Sequence, residues 1–85
     1  MFYTYVLQSE SDSRQRYIGH TADLRKRLAE HNAKTVSHTS KFAPWHVKLY
    51  VAFETKDQAQ HFERYLKSGS GHAFAKRHFW NLTES

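Results

Sequence analysis

Two segments of this sequence carry the spacing of a helix that faces a core, and each interrupts that spacing with a full charge. Positions 24, 27, 28 and 31 read Leu24, Arg27, Leu28 and His31, and positions 59, 62, 63 and 66 read Ala59, Phe62, Glu63 and Leu66. An i, i+3, i+4, i+7 pattern lines side chains along one helix face, and that face is ordinarily apolar because its burial drives the packing. Charged groups are rarely buried unless paired or functional. Two readings stay open. Arg27 and Glu63 either form a fold-holding salt bridge or snorkel from the ends of their stripes, or they share a site where a carboxylate holds a metal and a guanidinium holds a phosphate.

The segments around these stripes order themselves into few elements. Residues 2–8 read as a strand of aromatic and β-branched types, with Tyr3, Tyr5 and Leu7 on one face. After a polar turn at Ser9–Ser13, Arg16–Gly19 reads as a second strand, so the two form a hairpin. Thr21 is the expected N-cap of the first helix, with Asp23 in its first turn complementing the dipole. That helix runs to about His31, where Asn32 stops it. A basic, polar connection from Asn32 to His46 follows, long for so small a chain. Val47–Phe53 is a third strand, Thr55-Lys56-Asp57-Gln58 fits a capping box, and a second helix runs to about Lys67. Ser68-Gly69-Ser70-Gly71 breaks the chain, glycine being free to take positive φ. Residues 72–80 read as a short last helix and 81–85 as a fraying tail.

Eighty-five residues support one domain with one modest core, and 39% hydrophobic with 15% aromatic content argues against disorder. With no cysteine, a disulfide framework and a thiolate zinc site are both excluded, and a cytoplasmic location is expected. No apolar run approaches the ~18 residues of a membrane span, so no membrane partner is expected. The net charge of +5 is concentrated: residues 14–41 hold Arg14, Arg16, Arg25, Lys26, Arg27, Lys34 and Lys41 against only Asp23 and Glu30. Such a stretch is either a solvated basic face or a surface that meets a polyanion. His38, His46, His61, His72 and His78 lack zinc-like spacing and are expected at the surface, while Trp45 and Trp80 are expected as anchors of core or loop. His31 is expected to cap or pack near its helix end.

Tyr3-Thr4-Tyr5-Val6-Leu7, Tyr17-Ile18-Gly19-His20-Thr21, Leu24-Arg25-Lys26-Arg27-Leu28 and His31-Asn32 together resemble the GIY-YIG nucleases. Pro44-Trp45, Phe62-Glu63, Leu66-Lys67 and Ser70-Gly71 extend the likeness to about Phe79. It is strongest with the small stand-alone members and with the nuclease domain of the bacterial excision-repair incision subunit. The resemblance implies an α/β (α+β) fold: a three-stranded, mostly antiparallel sheet flanked by helices. It implies an endonuclease that hydrolyses phosphodiester bonds in DNA with Mg²⁺ or Mn²⁺, acting in repair or recombination. Carried over by position, Tyr5 closes the first motif, Tyr17 opens the second and is the proposed base, and Arg27 is the helix arginine. Glu63 is the metal-binding carboxylate, and His20 falls where relatives place a basic or polar group.

The chemistry accepts these residue types. A planar guanidinium can bond two phosphate oxygens at once, and Mg²⁺ prefers few protein ligands and many waters. A phenol is a poor base at neutral pH, its ordinary pKa being about 10, unless cations nearby lower it. Arg16, Arg25, Lys26, Arg27, Lys34 and Lys41 are the expected phosphate contacts, acting largely without regard to sequence. Specificity then comes from substrate structure, a homodimer or a partner protein. Two departures from the family pattern are plain: Tyr3-Thr4-Tyr5 replaces Gly-Ile-Tyr, and Ala75 stands where many relatives carry Asn, leaving Asn81 as the only later one. The alternative is therefore a nucleic-acid-binding module on the same fold that no longer cleaves.

Overall fold

Burial in the first strand sets the architecture. In a computed structural model describing residues 1–80, β1 (Phe2–Ser9) has Thr4, Tyr5, Val6 and Leu7 all buried. Successive side chains of a strand point to opposite faces, so β1 must be covered on both. It is flanked by β2 (Arg16–Thr21) and β3 (Trp45–Phe53) in the order β2-β1-β3, and both pairings are antiparallel. Tyr5 lies opposite Gly19 on one side and opposite Tyr50 on the other. A bulge between Val6 and Leu7 shifts the β1–β3 register.

Helix α1 (Leu24–Asn32) covers the face that carries Tyr5 and Leu7, where Leu24 and Leu28 pack with Trp45. Helices α3 (Lys56–Lys67) and α4 (Gly69–Ala75) cover the face that carries Val6. There Leu66, Ala75 and Trp80 close a second apolar cluster, with Trp80 reached through a π-helical turn at Lys76–Trp80. Full burial of a Val or Leu side chain contributes about 1.5–3 kcal/mol, so each cluster holds its helix against the sheet. Thr4 adds a polar anchor: its hydroxyl donates to the carbonyl of Ala59 at 2.6 Å from within the core. A short helix, α2 (Ser37–Ser40), lies in the connection between α1 and β3.

Several expected boundaries move, each for a visible reason. Strand β2 continues through Thr21, so the N-cap of α1 is Asp23, whose carboxylate accepts from the amide of Lys26 at 3.1 Å. Thr21 instead shapes the turn before it, accepting from the amide of Asp23. Strand β3 begins at Trp45 rather than Val47 because Trp45 and His46 pair with Ser9 and Gln8 of β1, and its first residue is further held by the Asn32 side chain. That side chain donates to the carbonyl of Trp45 at 3.0 Å and accepts from its amide at 2.5 Å. The capping box at Thr55 and Gln58 forms as read.

The Ser68–Gly71 segment corrects its reading. It breaks one helix only to start another, because the Ser68 hydroxyl caps α4 by accepting from the amide of Gly71 at 3.2 Å. No described glycine has positive φ, and the last helix begins at Gly69 instead of residue 72. Gly71 is needed for closeness: a Cβ there would collide with the backbone of Tyr65 and Leu66. Gly69 faces open space. The expected fraying tail at 81–85 lies outside the described residues.

These two glycines respond oppositely to alanine. Gly71→Ala should lower unfolding free energy by about 1–3 kcal/mol, the usual effect of overpacking. Gly69→Ala, at a helical φ with no neighbour to strike, should be neutral or raise it by about 0.4–1 kcal/mol. Urea denaturation followed by circular dichroism measures both.

Candidate active site

On the α1 face of the sheet, two tyrosines converge because one residue between them has no side chain. Gly19 sits in β2 directly across from Tyr5, with Tyr17 two residues earlier on the same face. A Cβ at position 19 would stand 2.7 Å from the Tyr5 hydroxyl oxygen and 3.0 Å from the Tyr17 ring. Glycine inside a strand weakens it, and here the close approach of the two rings, 6.2 Å between centroids, requires it.

Helix α1 supplies the partners of the Tyr5 phenol. His31, fully buried at the helix end, places Nε2 3.0 Å from the Tyr5 hydroxyl oxygen, and its ring lies 4.9 Å from that of Tyr17. Arg27, one turn earlier, also bonds to the Tyr5 hydroxyl and donates from Nη1 to Glu30 at 2.9 Å. Burial pushes the Tyr5 phenol up to about 12, with only partial relief from the Arg27 hydrogen bond. Tyr5 is therefore a held, protonated phenol at neutral pH. The Glu30 and Tyr5 hydrogen bonds raise Arg27 further above its ordinary range, so it is a permanent cation. Burial, then the Arg27 charge, lowers His31, keeping it neutral.

Behind the same strand edge, on the α3 face, lies the acidic half. His20 follows Gly19 and so points the other way, with Nδ1 2.5 Å from Glu63 Oε1. Lys67, one turn along α3, donates to Glu63 Oε2 at 2.7 Å. Burial alone would raise the Glu63 carboxyl, but the hydrogen bonds from Lys67 and His20 outweigh it and the net direction is downward. Glu63 is thus ionised while its side chain keeps 17% exposure. Its charge reaches Tyr5, where it adds to the upward push on the phenol. The two halves meet around the outer edge of β2 at Gly19–His20.

An Arg27–Glu63 salt bridge does not form among the described residues: α1 and α3 cover opposite faces of the sheet, and each charge finds a partner on its own side. The basic residues also divide. Arg25 borders a cleft of about 390 Å³ with Tyr3 and Tyr50, while Lys26 and Lys34 are exposed on and just after α1. Lys41 is exposed beyond α2, its ammonium 5.6 Å from the Phe42 ring. Arg16 stands apart, its guanidinium stacked 4.2 Å from the Trp80 ring on the α4 face. Trp45 and Trp80 are buried anchors, and His38, His46, His61, His72 and His78 are exposed, as their spacing suggested.

Two participants go beyond the sequence reading. His31 completes the stripe begun by Leu24 and Arg27, so its inward direction was legible although its bond to Tyr5 was not. Lys67 lies four residues after Glu63, the spacing of a helical ion pair. No group of three or more His, Asp or Glu able to hold a metal occurs among the described residues. Glu63 alone still fits a hard cation: an ionised, partly exposed carboxylate with spare lone pairs suits Mg²⁺, which keeps most of its waters. No helix among the described residues is long and apolar enough to cross a membrane.

Comparison with known proteins gives the family. Residues 1–77 match the GIY-YIG catalytic domain. The UPF0213 proteins of Streptococcus pyogenes serotypes M5, M2 and M28 are each 39% identical to this chain over 66 residues, covering 76% of it and 70% of the relative. The family match spans both tyrosines, Gly19, Arg27 and Glu63, the residues that meet around the edge of β2. This chain belongs to the GIY-YIG family of nuclease domains.

Proposed function

We propose that this protein is a divalent-metal-dependent endonuclease that hydrolyses phosphodiester bonds in DNA. The observation that carries the reading is the meeting of Tyr5, Tyr17 and Arg27 over Gly19 with ionised Glu63 around one strand edge. In this reading Arg27, a permanent cation with a planar fork, binds the phosphate and offsets the charge that grows on it during attack. Tyr5 stays protonated and so is not the base; held by His31, it orients Arg27 by accepting its hydrogen bond. Tyr17, half-buried beside Tyr5, is the base in its phenolate form, its own proton having first gone to solvent. It takes the proton of the attacking water as that oxygen bonds to phosphorus, and the ester oxygen leaves and is protonated by solvent. Glu63 would hold the Mg²⁺ or Mn²⁺ ion, which supplies Lewis acidity at the phosphate, and His20 keeps that carboxylate aimed. Arg16, Arg25, Lys26, Lys34 and Lys41 carry the flanking phosphates. A cytoplasmic role in repair or recombination, as one domain whose specificity comes from substrate structure, a homodimer or a partner, belongs to the same proposal.

One observation favours a second reading, binding without cleavage. Ala75, where many relatives carry Asn, is buried in the apolar cluster of the α3 face and offers no amide. Cleavage of labelled single-stranded, duplex, flapped and branched DNA, with Mg²⁺ or Mn²⁺ and with EDTA, separates the two. The nuclease reading expects metal-dependent products from the wild type and a loss of roughly 10²-fold or more in Glu63→Gln, Tyr17→Phe and Arg27→Lys. Glu63→Gln should keep its stability within about 1 kcal/mol, because it loses only partly exposed ion pairs. Metal-independent binding with no product would establish the second reading.

The division of labour between the tyrosines has its own check. A phenol raised on folding stabilises the native state only while protonated, so above its ordinary pKa the unfolded chain loses its proton first and stability falls with rising pH. Spectrophotometric titration should show one tyrosine ionising near pH 12 that is absent from Tyr5→Phe. The same variant should show a shallower loss of stability between about pH 10 and 12.

A further inference from the structure

The Tyr5–His31 contact is one link of a longer buried chain. Nδ1 of His31 lies 2.7 Å from the hydroxyl of Thr39 in α2, and Thr39 is 1% exposed. Its hydroxyl lies 3.3 Å from the carbonyl of Val36, to which it can only donate. Thr39 is itself fixed: its carbonyl accepts from Trp45 Nε1 at 2.8 Å and its amide donates to Val36 at 3.1 Å.

Counting protons selects one direction along this chain. If Thr39 donates to Val36, its oxygen accepts from His31 Nδ1–H, leaving Nε2 bare to accept the Tyr5 proton. The Tyr5 oxygen is then free to accept from Arg27, and the side-chain protons of Thr39, His31 and Tyr5 each face an acceptor, Thr39 sharing the Val36 carbonyl with the amides of Thr39 and Ser40. If Thr39 donated to His31 instead, Nε2–H and Arg27 would both donate to Tyr5. The Tyr5 proton would then have no partner in a site where the side chain is 1% exposed, and leaving a buried polar group unpaired is destabilising.

We propose that Thr39 is a positioning residue for Tyr5: through the Nδ1–H tautomer of His31 it makes the Tyr5 hydroxyl a donor to His31 and an acceptor from Arg27. The connection between α1 and β3 thereby acts on the site without touching substrate. The effect on cleavage rests on the nuclease reading above; the direction of the chain does not.

The test is the tautomer of His31, read from two-bond ¹⁵N–¹H imidazole correlations of the full chain at neutral pH and assigned with His31→Gln. The wild type and Thr39→Ser should both show Nδ1–H, and Thr39→Val should move toward Nε2–H. On the DNA substrate the wild type cuts, Thr39→Val should lose roughly tenfold in kcat with little change in KM, and Thr39→Ser should restore it. An Nε2–H tautomer in the wild type overturns the proposal, as does a folded Thr39→Val with unchanged kcat. If Thr39→Val does not fold, the wild-type tautomer and Thr39→Ser still decide. Nδ1–H in a wild type that cuts nothing would support the chain's direction and retire the nuclease reading.

Discussion

Covering both faces of β1 is the constraint from which the rest of this structure follows. A strand with four consecutive buried side chains cannot lie at a surface, and a chain this short has few elements to cover it with. One helix goes to the Tyr5 face and the α3–α4 pair to the Val6 face, each held by its own apolar cluster. The polar groups of β1 are satisfied within those layers, Thr4 by the backbone of α3 and Tyr5 by α1.

That arrangement also explains why oppositely charged residues of the candidate site remain unpaired with one another. Helices on opposite faces of a sheet cannot exchange a direct salt bridge through it. Arg27 therefore takes Glu30, and Glu63 takes His20 and Lys67. What joins the halves is the edge strand: Gly19 and His20 are neighbours in sequence and face opposite layers. Charges of both signs therefore flank this edge without having neutralised each other first.

Much of this was legible in the residues. The alternation of Tyr3, Tyr5 and Leu7, the capping box at Thr55 and the two helical stripes led to the three strands and the two longer helices in the right order, but not to α2. The stripes told that Arg27 and Glu63 look inward, but not toward which layer, since helical periodicity defines a face relative to the helix and says nothing of the sheet side it meets. The cap moved from Thr21 to Asp23 because strand pairing of Thr21 with Tyr3 took precedence over local capping preference. Thr39 could not be read at all: it sits in a polar connection where no periodicity distinguishes a buried hydroxyl from an exposed one. The role of Gly71 was hidden for a similar reason, because a steric gap depends on the backbone of the preceding helix.

The Asn32 side chain, bonded to both the amide and the carbonyl of Trp45, works as a clasp that shuts the connection between α1 and β3 at its base. Ends pinned in this way separate the length of a loop from the placement of what it joins. Loop closure costs only about 0.6 kcal/mol more for each doubling of length, so the chain between Asn32 and Trp45 can lengthen or change without displacing β3. The stretch around α2 is the exception, since Thr39 is tied from there to the site. Related proteins can thus diversify in this connection while the sheet and its edge stay as they are.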